Sequence, residues 1–201
     1  MPKTFSDSER TYIKERLLEE AQTCLIQFGM RRTTVDELVR RVNIPKGTFY
    51  LFYSSKELLF FDVFCSIHDK IQSDVMRRID ELRENINEDT LTELIFQLYK
   101  QLDCTCIYSF AASGELELLM RKLPPEVVAT HVQKDDLSME LFLSLLPITV
   151  TEERITLFSA TLRAVFCTLP HKREIGEDIF DDVIRVMLRG VIAQLFKEEK
   201  Q

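Results

Sequence analysis

Residues 46–50 combine side chains that could contact a polyanion. Lys46 can donate to guanine acceptors in a major groove, and the hydroxyl of Thr48 can donate or accept there. Gly47, between them, has no side chain, so the backbone can approach another surface closely at this position. If a helix begins here, its unpaired N–H groups also favour a nearby phosphate. The chemistry expected of this segment is contact with a nucleic acid.

Two short helices are predicted to position this segment. Thr34 and Glu37 have the spacing of a capping box, which predicts the beginning of a helix. Pro45 then breaks that helix, because proline lacks an N–H and disfavours helical geometry in the preceding residue. The sequence therefore predicts helices over 34–43 and 45–52, the pattern of a helix-turn-helix. Taken alone, the polar residues could equally belong to a small solvated helix.

Residues 10–64 resemble the N-terminal DNA-binding domain of the TetR family of bacterial transcriptional regulators. The resemblance rests on Phe28-Gly29, Thr33-Thr34-Val35-Asp36-Glu37-Leu38, Lys46-Gly47-Thr48-Phe49-Tyr50 and Phe52-Tyr53-Ser54-Ser55-Lys56-Glu57-Leu58-Leu59. It implies a homodimeric regulator, most often a repressor, that binds a double-stranded DNA operator and responds to a ligand. The C-terminal domain differs from member to member of this family, so the resemblance implies an effector without naming it.

The resemblance also implies roles for individual residues. Tyr50 and Lys56 would reach phosphates. Thr33 and Thr34, at the start of the second helix, would help to position the protein on the DNA. Such polar contacts fix register and carry little sequence information. The complete set predicted to contact DNA is Thr33, Thr34, Lys46, Gly47, Thr48, Tyr50, Leu51, Phe52 and Lys56.

Two positions depart from the family pattern. Pro45 stands where a small hydroxyl residue usually caps the recognition helix, and Leu51 stands where a basic or polar residue is common. Contact with a thymine methyl group is the chemistry open to Leu51. Phe52 could pack internally or touch the DNA backbone. The operator sequence is therefore not predicted.

The distribution of charge agrees with a basic DNA-binding end on an acidic body. The whole chain has a net charge of −7. Residues 1–60 nevertheless carry ten Lys/Arg against eight Asp/Glu, and residues 31–56 carry six against two. The remaining residues, 61–201, carry 16 against 25. Binding of a polyanion requires a local basic face and not a basic protein.

The chain has no apolar run long enough to span a bilayer and no signal-peptide core at its N-terminus. We therefore expect a cytoplasmic location and do not expect a membrane partner. Its five cysteines are then expected to be reduced.

Apolar periodicity predicts an all-α protein of about nine helices. The division expected is a helix-turn-helix domain over 1–53 and a ligand-binding and dimerisation domain over 54–201. A first helix over 8–28 should end at Gly29, and a capping box over 54–57 should open a long fourth helix to about Glu84 that joins the two domains. A helix is expected over 90–113, and a short one after it ends at Lys122. Further helices are expected over 126–146, from Thr151 to the turn that begins at Leu169, and over 177–197.

Residues 151–197 are predicted to form the homodimer interface, mostly by resemblance. Ala160 and Ala164 are four residues apart, and Gly190 and Ala193 are three apart, so two helices could approach closely there. Paired recognition helices about 34–36 Å apart, or a multiple of this, would enter successive major grooves. The alternative is that these small residues only pack the core of one subunit.

A small apolar effector is predicted to bind between helices of the body. The candidate residues are Phe64, Ile67, His68, Ile71, Phe96, Tyr99, Leu102, Cys106, Phe110, Phe142 and Phe166, for each of which ordinary core packing is the alternative. Cys104 could act as a thiol sensor. Cys104 and Cys106 cannot easily share an ion, because residues two apart on a helix point in opposite directions.

No catalytic constellation is recognised in the sequence, which has only three histidines and no glycine-rich phosphate loop. We therefore predict a protein that is not an enzyme and that has no cofactor and no metal. The alternative function is a helical small-molecule carrier or protein-interaction module without specific DNA binding.

Overall fold

A computed structural model describes residues 5–82, 85–103, 105–146, 148 and 151–197. Within these ranges the secondary structure is helical, without strands, which confirms the predicted all-α class. The helices are α1 (Asp7–Arg32), α2 (Val35–Val42), α3 (Lys46–Phe49), α4 (Lys56–Leu82), α5 (Glu88–Asp103), α6 (Cys106–Ala112), α7 (Glu115–Lys122), α8 (Pro125–Ser144), α9 (Glu152–Phe166), α10 (Lys172–Ile175) and α11 (Phe180–Phe196). A 3-10 turn, Leu169–His171, precedes α10. None of the described helices is both long and apolar enough to cross a membrane.

The chain folds into two compact units. The first unit contains residues 1–68 and 109–123, and the second contains 69–108 and 124–201. Helix α4 contributes residues to both units, and so does the short helix α6. The segment 109–123 belongs to the first unit although it lies far along the chain. The functional division predicted at residue 54 is a separate matter and stays a prediction.

The first unit is built around α1. A capping box starts this helix: the Ser6 hydroxyl accepts from the Glu9 N–H at 3.2 Å, and the Glu9 carboxylate accepts from the Ser6 N–H at 2.8 Å. Helices α2 and α7 pack on α1, and α3 packs on α2. The core of the unit is apolar and includes Leu17, Ala21, Cys24, Leu38, Phe49, Leu59, Phe60 and Leu119, none of which exposes any surface.

The second unit has a larger apolar core. Helix α5 packs along α11, α8 packs on α9, and α9 packs on α11. Eighteen buried residues form one core cluster, and further half-buried apolar residues surround it. Ion pairs lie at its edge: Lys100 with Asp181 at 2.9 Å and Arg189 with Asp89 at 2.6 Å.

Several predicted helix ends were wrong by a few residues because other side chains provide the caps. Ser55, and not Ser54, accepts from the Leu58 N–H at the beginning of α4. Asn87 caps α5, its amide oxygen accepting from the N–H of Thr90 at 3.0 Å. The helix predicted over 90–113 is two helices, because the Thr105 hydroxyl accepts from the Ile107 N–H and starts α6 anew. Cys104 lies outside the described residues.

Candidate nucleic-acid interface

Helix α2 begins as predicted, but only half of its capping box forms. The Thr34 hydroxyl accepts from the Glu37 N–H at 3.2 Å. The Glu37 carboxylate turns instead to Arg40 at 2.8 Å and Arg41 at 2.6 Å. Hydrogen bonds from Arg40 first, and then from Arg41, lower the pKa of Glu37. Part of the basic charge of α2 is therefore neutralised within the helix.

The turn between α2 and α3 depends on Asn43, whose φ of 58° and ψ of 48° are left-handed. Asparagine is one of the few residues other than glycine that adopts this conformation readily. The Asn43 N–H donates to the Arg40 carbonyl at 3.3 Å and closes α2. Pro45 is extended, and α3 starts at Lys46. The break over Asn43-Ile44-Pro45 was predicted correctly but was attributed to Pro45 alone. An asparagine at the end of a helical pattern is itself a signal for such a cap.

Helix α3 is a single turn with one face outward and one inward. Tyr50 and Leu51, just after it, are 51% and 59% exposed, and Lys46 and Gly47 are also exposed. A side chain added at Gly47 would meet no atom of the protein. Phe49 is fully buried, so it anchors the turn to the core as the sequence indicated.

Thr48 faces the other way, because it is buried. Of the two residues predicted to read bases, Lys46 is therefore at the surface of the unit and Thr48 is not. The predicted helix over 45–52 is shorter than expected: beyond Phe49 the chain continues with bonds from Leu51 N–H to Thr48 C=O at 3.1 Å and from Phe52 N–H to Phe49 C=O at 2.9 Å.

Lys46 has an acidic neighbour. Its ammonium lies 2.9 Å and 3.0 Å from the two carboxylate oxygens of Asp36 on α2. The hydrogen bond to Asp36 raises the pKa of Lys46, so the amine stays charged. Both side chains are exposed, and the pair ties the start of α3 to α2. Contact of Lys46 with a base would require the ammonium to leave or share this carboxylate.

Thr33 and Lys56 meet at the junction of α1 and α2. Thr33 is buried, and its hydroxyl donates to the Gly29 carbonyl at 2.8 Å. The Lys56 ammonium donates to the carbonyls of Met30 at 2.8 Å and Thr33 at 2.7 Å. Burial lowers the pKa of Lys56. An ammonium has three donors, so these two bonds leave one for a phosphate.

Phe52 is half-buried, and the guanidinium of Arg10 lies 5.3 Å from the centre of its ring. The next residue, Tyr53, donates its hydroxyl to Asp62 at 2.9 Å, and burial raises its pKa. These contacts fix the chain between α3 and α4. Lys46, Gly47, Tyr50 and Leu51 are thus exposed at one helical turn and just after it, whereas Thr33 and Thr48 are buried and Lys56 is half-buried.

The residues predicted to bind an effector fall into both units. Phe64 and Phe110 are buried in the first unit, where Ile67 and His68 are half-buried. In the second unit six of them come together: Phe96, Tyr99 and Phe142 lie in the core cluster, and Ile71, Leu102 and Phe166 pack against it. Cys106 is half-buried at the start of α6, and burial raises the pKa of its thiol.

Tyr99 has a defined internal role in that core. Its hydroxyl donates to the carbonyl of Leu162 at 3.0 Å, and burial raises its pKa. The six residues therefore belong to the core of the second unit or its edge, and their contact with an effector stays a prediction.

A groove of about 420 Å³ runs between α9 and α11 of the second unit. Leu157 on α9 is 68% exposed and Val186 on α11 is 71% exposed, and both line this groove, so the exposed apolar side chains form a patch. Gly190 lies in the same groove, and a Cβ added there would have open space around it. An accessible apolar face thus lies within the range predicted for dimerisation.

The fold and the exposed α3 define a helix-turn-helix protein. Residues 17–63 match the family model described as bacterial regulatory proteins, tetR family. This match lies within the helix-turn-helix region and supports the resemblance of the chain to the TetR family.

The chain is also similar to an uncharacterized HTH-type transcriptional regulator, YhgD, of Bacillus subtilis (strain 168). The two are 30% identical over 106 residues, which are 51% of this chain and 56% of YhgD. The chain thus spans a little over half the length of this curated relative.

Two solved structures share the fold over nearly the whole chain. One is FadR of Thermus thermophilus, a TetR family transcriptional repressor in complex with lauroyl-CoA: the TM-score is 0.59 and the identity 17%, over 94% of this chain and 98% of that one. The other is RolR in complex with resorcinol, with a TM-score of 0.56 and 18% identity over 96% of this chain and 99% of that one.

Proposed function

We propose that the protein is a transcriptional repressor that binds a double-stranded DNA operator as a homodimer and is released by a small apolar effector. The observation that carries this proposal is the exposed turn of α3. Lys46, Gly47 and Tyr50 project from it, while the buried Phe49 holds it to the core. A helix-turn-helix that only packed within the protein would not need these residues at its surface. Its DNA partner leads us to propose that it acts in the cytoplasm.

The exposed turn has the means to bind DNA in two ways. Lys46 offers hydrogen bonds to guanine acceptors, and Leu51 offers apolar contact to a thymine methyl group. The Tyr50 hydroxyl and the remaining donor of Lys56 would bind phosphates, which position the protein on the duplex. The missing side chain of Gly47 lets the backbone come close to the DNA.

The groove between α9 and α11 is our proposed homodimer interface. A second copy would bury the exposed Leu157 and Val186 across a twofold axis, as a self-complementary patch does. Gly190→Glu tests this, since a Cβ at this position has open space within one chain and the carboxylate would place a charge in the interface. Sedimentation should show a folded monomer for Gly190→Glu and a dimer for Gly190→Ala; a dimer in both cases would exclude this surface.

The effector is proposed to bind within the apolar core of the second unit. Phe96, Tyr99 and Phe142 supply aromatic surface there. The ligands in the two similar structures, lauroyl-CoA and resorcinol, both have apolar portions, which supports this class of effector. An effector would act by binding more tightly to a state whose two DNA-binding ends are wrongly spaced, with α4 carrying the change. It can favour release only by its difference in affinity for the two states.

The test is footprinting and a salt-dependent gel shift on the DNA that flanks the gene for this protein. A protected palindromic segment, with affinity falling steeply as salt rises, is the expected result. Titration of acyl thioesters and small phenols against the bound complex would then search for release. A carrier or an interaction module would give no protected segment even at low salt, and that outcome would overturn the proposal.

A further inference from the structure

Helix α1 is interrupted close to its C-terminus. Gly29 has a φ of 78° and a ψ of 167°, so the helix breaks there and Met30–Arg32 form a separate last turn. Met30 is only 1% exposed. A break of this kind leaves backbone N–H groups without partners in the helix, and in a buried place they require other acceptors.

The acceptor comes from a distant part of the chain. Glu115, the first residue of α7, is 8% exposed. One oxygen of its carboxylate accepts from the Met30 N–H at 2.7 Å, and the other accepts from the Arg31 N–H at 2.9 Å. Hydrogen bonds from neutral backbone N–H groups to an ionised carboxylate are stronger than those between two neutral groups. The pairs are separated by 85 and 84 residues in sequence.

Gly29 is adapted to this carboxylate as well as to the turn. A Cβ placed on Gly29 would lie 2.8 Å from one oxygen of Glu115 and 3.0 Å from the other. In addition, the positive φ at this position would strain the backbone of any residue that carries a Cβ. The absent side chain of Gly29 therefore makes room for the carboxylate.

The opposite side of the same turn is held by Lys56, which donates to the carbonyls of Met30 and Thr33. The residue after Thr33 is Thr34, the cap of α2, and Lys56 is the first residue of α4. The last turn of α1 is thus clamped by an anion on its N–H groups and a cation on its C=O groups. This clamp fixes the direction in which α2, and with it α3, follows from the end of α1.

We propose that Glu115 is a positioning residue for DNA reading: it sets the junction of α1 and α2 and so the direction of the helix-turn-helix. This rests on the proposed function. On this account one residue of the segment 109–123, Glu115, takes part in setting the helix-turn-helix, although it lies beyond the N-terminal residues that carry the family pattern. Glu115 touches no DNA in this role and acts through the backbone of Met30 and Arg31.

The experiment uses the full-length chain and compares affinity for the footprinted operator with affinity for an unrelated duplex of equal length at one salt concentration. Both affinities are measured well below the melting temperature of each variant. Glu115→Ala loses two buried hydrogen bonds to a charge, so we expect it to lower the ratio of the two affinities about tenfold or more. Glu115→Gln should recover part of the ratio, because its one amide oxygen can still accept one N–H.

Two variants of the same helix serve as controls. Glu117 is exposed and pairs with Arg121, so Glu117→Ala should change neither the ratio nor the melting temperature. Leu119 is fully buried, so Leu119→Ala should lower the melting temperature at least as much as Glu115→Ala and yet keep the ratio. Equal ratios for Leu119→Ala and Glu115→Ala would show that Glu115 only stabilises the fold, and an unchanged ratio in Glu115→Ala would overturn the proposal directly.

A double-mutant cycle with Gly29→Ala gives a second reading that does not depend on Glu115→Ala alone. Gly29→Ala should lower the ratio strongly in the wild-type chain and less in the Glu115→Gln chain, where the amide can turn away from the new methyl group. Strict additivity would argue against a link between the two residues. If the wild-type chain bound both duplexes equally, the proposed function itself would be wrong. If the wild-type chain were specific and Glu115→Ala stayed equally specific, only the positioning role of Glu115 would be wrong.

Discussion

In the first unit, charged and hydroxyl side chains hold the backbone at the entrance to α2, whereas in the second unit the ion pairs lie around an apolar core. Glu115, Lys56 and Thr33 bind backbone groups that are buried or nearly so. In the second unit, Lys100 and Asp181 pair at the edge, and the centre is filled by aliphatic and aromatic residues. The two units use different forces for different purposes.

The difference follows from what each kind of contact can do. Hydrogen bonds to backbone groups depend on distance and angle, so they specify one geometry, which a DNA-reading turn requires. Apolar packing is non-directional, and its contribution grows with buried area. A core of this kind supplies stability and can be reshaped by a ligand with similar apolar surface. We therefore expect substitutions in the apolar core of the second unit to act on stability, and substitutions of the side chains that bind backbone groups in the first unit to act on DNA binding.

The largest expected effect on stability is in the second unit. Leu91 on α5 is 1% exposed, so Leu91→Ala should lower the free energy of unfolding by about 2–5 kcal/mol. Urea denaturation measures this, and the operator affinity of the folded fraction should hardly change. If affinity fell as steeply as stability, the division of labour between the units would be wrong.

Lys56→Ala should act mainly on DNA binding. Both carbonyls of the α1 turn lose their donor, and a phosphate contact is lost, so operator affinity should fall and the slope of log affinity against log salt should decrease by about one. Lys56→Arg, which keeps the charge but not the geometry, should retain the slope and lose affinity. A slope that Lys56→Ala leaves unchanged would restrict Lys56 to its internal bonds.

Gly47→Ala should separate stability from binding at α3. The new methyl group meets no atom of the protein, and alanine favours a helix over glycine by roughly 0.5–1 kcal/mol, so stability should be kept or slightly raised. Operator affinity should nevertheless fall, because the methyl group would stand between the backbone and the duplex. Thermal melting and gel shifts on the same preparation measure both; undiminished affinity would move the close approach away from Gly47.

The smallest effect is expected from the ion pair between Asp136 on α8 and Arg163 on α9. Burial would raise the pKa of Asp136, but hydrogen bonds from Ser159 and Arg163 outweigh it and lower the pKa. A carboxylate with a lowered folded pKa stabilises the protein above its unfolded pKa of about 3.9, and this contribution is lost as pH falls through the folded value. The stability difference between wild type and Asp136→Asn should therefore be present at neutral pH and shrink on acidification. A difference that grew in acid would reverse the sign assigned to Asp136.

Local features were predicted well where a few neighbouring residues decide them. The Thr34 cap and the break at Pro45 were confirmed, because both act within a single turn of helix. The capping box was only half right, since Glu37 found a stronger partner in Arg40 and Arg41 than in the backbone. The exposure of the individual α3 side chains could not be predicted from the sequence. Lys46 and Thr48 are both polar, and only the packing of the helix determines that Thr48 is buried.

Sequence alone determined the helical class, the position of the helix-turn-helix and the basic character of its surroundings. Caps, proline and apolar periodicity act over a few residues, and charge is additive along a segment. Only the tertiary structure decided that Glu115 belongs with Met30 and Arg31, that Lys56 binds carbonyl groups, and that Leu157 and Val186 stay exposed. These contacts join residues whose separation in the chain carries no periodic signal, because they follow from how whole helices pack.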